Sequence, residues 1–93
     1  MVHCTLPVGA TSMAVAHRTV EEVWYVVSGR GQVWRKRDAQ VSVVDINPGV
    51  SLSIEIGTHF QFRNTGDEPL CIVITSMPPW PGENEAVPVE GKW

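Results

Sequence analysis

Apolar positions along this chain recur with a period of two, in short runs separated by turn residues about every ten positions. That rhythm predicts strands joined by tight turns, the mark of an all-β sandwich or barrel. The runs are "VHCTLP", "TSMAVAH", "EEVWYVVS", "QVWRKR", "VSVVDI", "SLSIEI", "HFQFRN" and "CIVITSM". No segment carries the 3.6-residue period of a helix, so about eight antiparallel strands are expected. "GRG" closes "EEVWYVVS" onto "QVWRKR" as a hairpin, and "NPGV" and "NTGDEPL" hold Pro, Gly and Asn where turns need them. Alternation also assigns faces. Met13, Val15 and His17 share one side of their strand, Leu52, Ile54 and Ile56 one side of theirs, and Phe60 and Phe62 one side of the next. With Glu22 inward, Trp24, Val26 and Ser28 follow it, while Glu21, Val23, Tyr25 and Val27 face out.

The pattern changes after Met77. Residues 78–93, "PPWPGENEAVPVEGKW", hold four of the seven prolines and two of the four tryptophans. A Pro-dense segment is not expected to form an ordinary sheet strand. Trp80, Val87, Val89 and Trp93 are instead expected to pin it as a tail on the barrel or on a second subunit. A length of 93 residues supports one core, so residues 1–93 are read as a single domain.

Composition narrows the functional classes. With 43% hydrophobic and 18% charged residues the chain is ordinary globular material. No run approaches the roughly 18 apolar residues of a membrane span, and no basic start precedes an apolar run, so a cytoplasmic protein with no membrane partner is expected. A net charge of −3 gives nucleic acid no reason to approach. The one basic cluster, Arg30, Arg35, Lys36 and Arg37, reads as the solvated end of a hairpin. Cys4 and Cys71 can meet only if the first and last strands pair, and they are expected to be reduced, buried thiols.

Two spaced motifs carry a resemblance to the cupin superfamily. Gly9, Val15, His17, Glu22 and Gly29 fall at the spacing of the first cupin motif, with Val15 in place of its first histidine. Gly49, Glu55, Gly57, Phe60 and Asn64 fall at the spacing of the second, with Glu55 replacing proline and Phe60 replacing histidine. The resemblance implies a double-stranded β-helix, or jelly-roll, barrel. It also implies a site inside the barrel, where metal-binding members hold one divalent ion, such as manganese, iron, nickel or zinc, with three histidines and a glutamate. Only His17 and Glu22 of that set remain here. His59 is a candidate third metal ligand, but it needs a bulge to turn inward, because a shift of one residue reverses the face.

Three readings follow. The first is a small-molecule-binding barrel with a degenerate metal site. Its apolar or aromatic ligand would be contacted by Val15, Trp24, Phe60 and Phe62, since exchanging imidazoles for Val15 and Phe60 makes the cavity drier. The second is an enzyme, either metal-dependent or a metal-free isomerase or epimerase with His17 and Glu22 as the catalytic acid–base pair. The third is a protein-interaction module. The outward Val23 and Val27 need cover, from the tail or from a second copy of the chain, and the resemblance implies a homodimer.

Overall fold

The computed structural model describes residues 1–79, 81–82 and 85–93. It is all β, with nine strands: β1 Val2–Leu6, β2 Val15–His17, β3 Glu21–Ser28, β4 Gly31–Arg37, β5 Gln40–Ile46, β6 Ser51–Ile54, β7 His59–Asn64, β8 Leu70–Met77 and β9 Ala86–Pro88. They form a four-stranded sheet in the order β1-β8-β3-β6 and a five-stranded sheet in the order β5-β4-β7-β2-β9, all pairs antiparallel. The two sheets face each other across one core, a jelly-roll barrel.

Eight strands fall on the eight runs expected from the alternation, with β4, β5 and β8 each starting one residue earlier. The ninth is a correction: the tail does form a strand, pairing Ala86 to Pro88 with His17 to Val15. Proline is tolerated there because β9 is an edge strand with no further neighbour to donate to. Of the expected tail anchors, Trp80 lies outside the described residues and Val87 is exposed. The Val89 N–H donates to the Ala14 carbonyl. The Trp93 N–H donates to Gln61 Oε1 at 2.9 Å, while Gln61 Nε2 donates back to the Trp93 carbonyl at 3.1 Å. The Arg63 guanidinium lies 4.2 Å from the centre of the Trp93 ring, within cation–π range. These described tail residues cover the part of the five-stranded sheet's outer face around Gln61 and Arg63, while Val41 and Val43 stay exposed. On the other sheet Val23, Tyr25 and Val27 stay exposed.

Strand β3 sets the frame of the interior. Its residues alternate exposed and buried from Glu21 to Val27, as a half-buried strand should. Trp24 and Val26 join Val33, Ile46, Ile54, Phe60, Phe62, Leu70, Ile72 and Ile74 in the core. The chain then leaves β3 at Gly29, whose φ of +87° suits glycine. A Cβ there would lie 2.5 Å from the Pro69 carbonyl oxygen and 2.7 Å from Leu70 Cα, so no side chain fits. Asn64 closes the same end of the barrel. Its Nδ2 donates to the carbonyls of Leu6 and Glu68, and its Oδ1 accepts from the Gly66 N–H. This buried amide satisfies the end of β1 and two points of the β7–β8 loop at once, a structural reason for asparagine at that motif position.

Pairing of β1 with β8 also decides the cysteines. Cys4 opposes Ile72 and Cys71 opposes Thr5, so the two are one step out of register and face opposite sides of the sheet. Both are free and half-buried.

Candidate functional site

His17 and Glu22 are close in sequence, yet they belong to different sheets. His17 ends β2 in the five-stranded sheet and Glu22 is the second residue of β3 in the four-stranded one, so the pair meets across the interior. His17 Nδ1 and Glu22 Oε2 are 3.8 Å apart, with both side chains buried. Glu22 is held by two further groups. The Trp24 Nε1–H donates to Oε1 at 2.9 Å, and the Ser76 hydroxyl donates to Oε2 at 3.3 Å. Phe60 meets the His17 ring edge-to-face at 5.1 Å and Trp24 at 5.5 Å, and Trp24 meets Phe62 at 5.1 Å. Such geometry is favourable for aromatic pairs. The structure therefore brings together His17, Glu22, Trp24, Phe60 and Phe62, and packs Val15 against the same core. These side chains fill the interior by touching one another.

His59 does not join them. Residues of β7 pair with β4 without a break in register, and His59 lies opposite Ala16 and Lys36 on the outer face. The bulge it needs is absent from this strand. Gln61 shares that outer face and is buried there by the tail. Among the described residues no group of three or more His, Cys, Asp or Glu is arranged to hold a metal ion. Val15 and Phe60 offer no donor atoms, and each Glu22 oxygen already accepts a hydrogen bond. These residues do not fit the divalent ion of metal-binding cupins. Cys4 adds no nucleophile, because burial, the nearby Cys71 and the Glu22 carboxylate all push its thiol above the usual range and keep it protonated.

Open volume lies elsewhere. A cleft of about 620 Å³ opens where the edge strand β6 faces the β4–β5 hairpin, at the mouth between the sheets. Its walls include Arg35, Arg37, Gln40, Ser42, Ser53 and Thr58. Register explains why two arginines stand there. Arg35 opposes Phe60 and Ser42, and Arg37 follows two residues later opposite Gln40, so both share the inward side of β4 with Val33. The reading of this basic run as a solvated hairpin end therefore holds for Lys36, which faces out, and for Arg37, exposed at the hairpin end beside the mouth. It fails for Arg35, which is half-buried and turns to the mouth. Arg35 Nη1 donates to the Ser53 carbonyl at 2.9 Å, bridging the two sheets, and Arg37 pairs with Glu55. Parity along β4 is the signal that could have found these residues.

Thr58 links the cleft to the interior. It is only 4% exposed, it precedes β7 on the Phe60 side, and it follows Gly57, whose N–H donates to the His17 carbonyl at 3.1 Å. Glu85 is the other residue that the sequence does not reveal. This buried carboxylate accepts from the Thr19 N–H at 2.6 Å, the Thr19 hydroxyl at 2.5 Å and the Val20 N–H at 3.0 Å, while its own carbonyl accepts from the Arg18 N–H. It ties the tail to the loop between His17 and Glu22.

A model of the cupin domain family matches residues 2–76. An uncharacterized protein of Methanocaldococcus jannaschii is 26% identical over 87 residues, which is 94% of this chain and 66% of that relative. Among solved structures, the capsular polysaccharide assembling protein CapF from Staphylococcus aureus superposes with a TM-score of 0.85 at 19% identity. The match covers 96% of this chain and 27% of CapF. Drosophila melanogaster CENP-C bound to CAL1 gives a TM-score of 0.75 at 12% identity, over 80% of this chain and 58% of that one. The chain thus spans just under two thirds of its curated relative and about a quarter of CapF. At these identities the structural likenesses speak for the fold.

Proposed function

From the premise that this chain belongs to the cupin domain family, we propose that it is a small-molecule-binding barrel whose ligand enters at the mouth cleft, without a resident metal ion. The observation that carries this reading is Thr58, a nearly buried side chain that lines the cleft and stands beside the backbone of His17. Through the neighbouring Gly57 N–H, which donates to the His17 carbonyl, it ties the cleft wall to the strand that carries His17. A volume of about 620 Å³ falls within the range of roughly 300–1,000 Å³ usual for small-ligand sites. In this reading the aromatic residues act as the packed floor and not as the ligand's walls. Trp24, Phe60 and Phe62 already satisfy one another edge-to-face, so an aromatic guest would have to displace them.

His17 and Glu22 lie behind the cleft, buried with the packed rings. The carboxylate, fixed by Trp24 and Ser76, lies 3.8 Å from the imidazole Nδ1. Elemental analysis of protein purified without chelator is expected to give divalent metal far below one ion per chain. One tightly held ion per chain would overturn the metal-free part of the proposal.

A further inference from the structure

We infer that the mouth cleft selects a small organic monocarboxylate. This rests on the small-molecule reading above and specifies the chemical class of its ligand. Among the nine residues that line the cleft, Arg35 and Arg37 are cationic and Glu55 is anionic, which leaves a formal charge of +1. The chain as a whole carries −3, so the cleft is positive against its surroundings. Arg37 is already matched by Glu55. Arg35 is not matched by any carboxylate among the described residues, and one hydrogen bond, to the Ser53 carbonyl, fixes its place.

An arginine carries five N–H donors in a planar fork. With one directed at Ser53, the others remain for a ligand, and a carboxylate is the group whose two oxygens match that fork. Thr58 adds a second polar group on the same wall. The residue is only 4% exposed, and its hydroxyl is open to the cleft, where it can donate to a ligand held by Arg35.

A net lining charge of +1 balances one carboxylate and would leave a phosphate dianion in excess. The remaining walls fit a short carbon skeleton carrying polar groups. Ala39 and Val41 offer aliphatic contact, while Gln40 and Ser42 stand opposite Arg37 and Arg35 on β5 with side chains able to donate or accept.

The test follows amide and Arg Nε–H resonances of the whole chain during titration, at constant ionic strength, with butyrate, its neutral isostere butyramide, and inorganic phosphate. Butyrate is expected to give saturable shifts at Arg35 and Thr58, with butyramide and phosphate each at least about tenfold weaker, the scale of a charge-assisted pair. Arg35→Met is expected to weaken butyrate by a similar factor. Thr58→Val should also weaken it while keeping the side chain's shape, and serves if Arg35→Met does not fold. Equal binding of butyramide, or tighter binding of phosphate, would overturn the carboxylate assignment while leaving a small-molecule site in place. No saturable shift at Arg35 or Thr58 with any of the three would overturn both.

Discussion

Replacing Trp24 with alanine is expected to destabilise the protein by about 3–5 kcal/mol, the usual cost of removing a buried large aromatic side chain. Trp24 is 1% exposed, and its indole sits between Phe60 and Phe62. The substitution also removes the N–H that Glu22 Oε1 accepts, which leaves a buried carboxylate oxygen short of a donor at a further cost of about 1–3 kcal/mol. Small domains are stable by only about 5–15 kcal/mol, so Trp24→Ala takes a large share of the total. Trp24→Phe separates the two effects, because it keeps most of the ring packing and deletes the donor. Its expected cost is about 1–3 kcal/mol. Urea unfolding followed by circular dichroism reads both variants. If Trp24→Ala cost less than about 1 kcal/mol and Trp24→Phe were neutral, the residue would be a ligand contact in an open pocket and not the centre of a packed floor.

The second large effect concerns Glu85 and acid. Burial alone would raise its carboxyl pKa, but the Thr19 hydroxyl and the Thr19 and Val20 N–H groups all stabilise the ionised form, and the balance lies below the ordinary range. A carboxyl whose folded pKa is depressed binds fewer protons folded than unfolded. Its stabilisation is therefore fully present above the unfolded pKa, about 4.3, and is lost as pH falls through the lower folded value. Glu85→Gln removes the charge and keeps one acceptor oxygen. The variant is expected to melt below the parent protein at neutral pH, and the gap should narrow as pH falls beneath about 4. Release of the tail would show as faster amide exchange at Val89 and Trp93, whose N–H groups donate to Ala14 and Gln61. A melting gap that stays constant from neutral pH to pH 3 would contradict this account of the clamp.

Much of this architecture is legible in the sequence, and the gaps have physical causes. Strand β3 is read with its faces, because period-two alternation reports burial directly when one side of a sheet is wet. Spacing of the motif glycines and Asn64 gives the barrel, since those positions answer to turns and closing hydrogen bonds within the fold. The tail strand is not legible, because three prolines near its start and Pro88 within it argue against a strand, and only the edge position of β9 removes the objection. Glu85 is hidden for a different reason. Its partners, Thr19 and Val20, lie 66 and 65 residues away, and no local pattern marks a carboxylate that will accept distant backbone N–H groups. Arg35 and Arg37 fall between these cases, since their inward direction follows from the parity of Val33 but charged residues on a hairpin suggest solvent.

The interior was also expected to be a pocket lined by Val15, Trp24, Phe60 and Phe62. Apolar residues at ligand positions are compatible with either a dry cavity or a packed core, and sequence does not separate the two. Contact distances between the rings decide for packing in this structure. The open volume is displaced to the mouth, where polar residues line it.

The most direct measurement of the central claim is crystallographic: crystals of the untreated protein soaked with a set of fragment-sized organic molecules and, in parallel, with manganese chloride. The account predicts fragments seated in the mouth cleft against Arg35 and Thr58, and no ion between His17 and Glu22. Manganese coordinated by His17 and Glu22, with the cleft empty of every fragment, would contradict it.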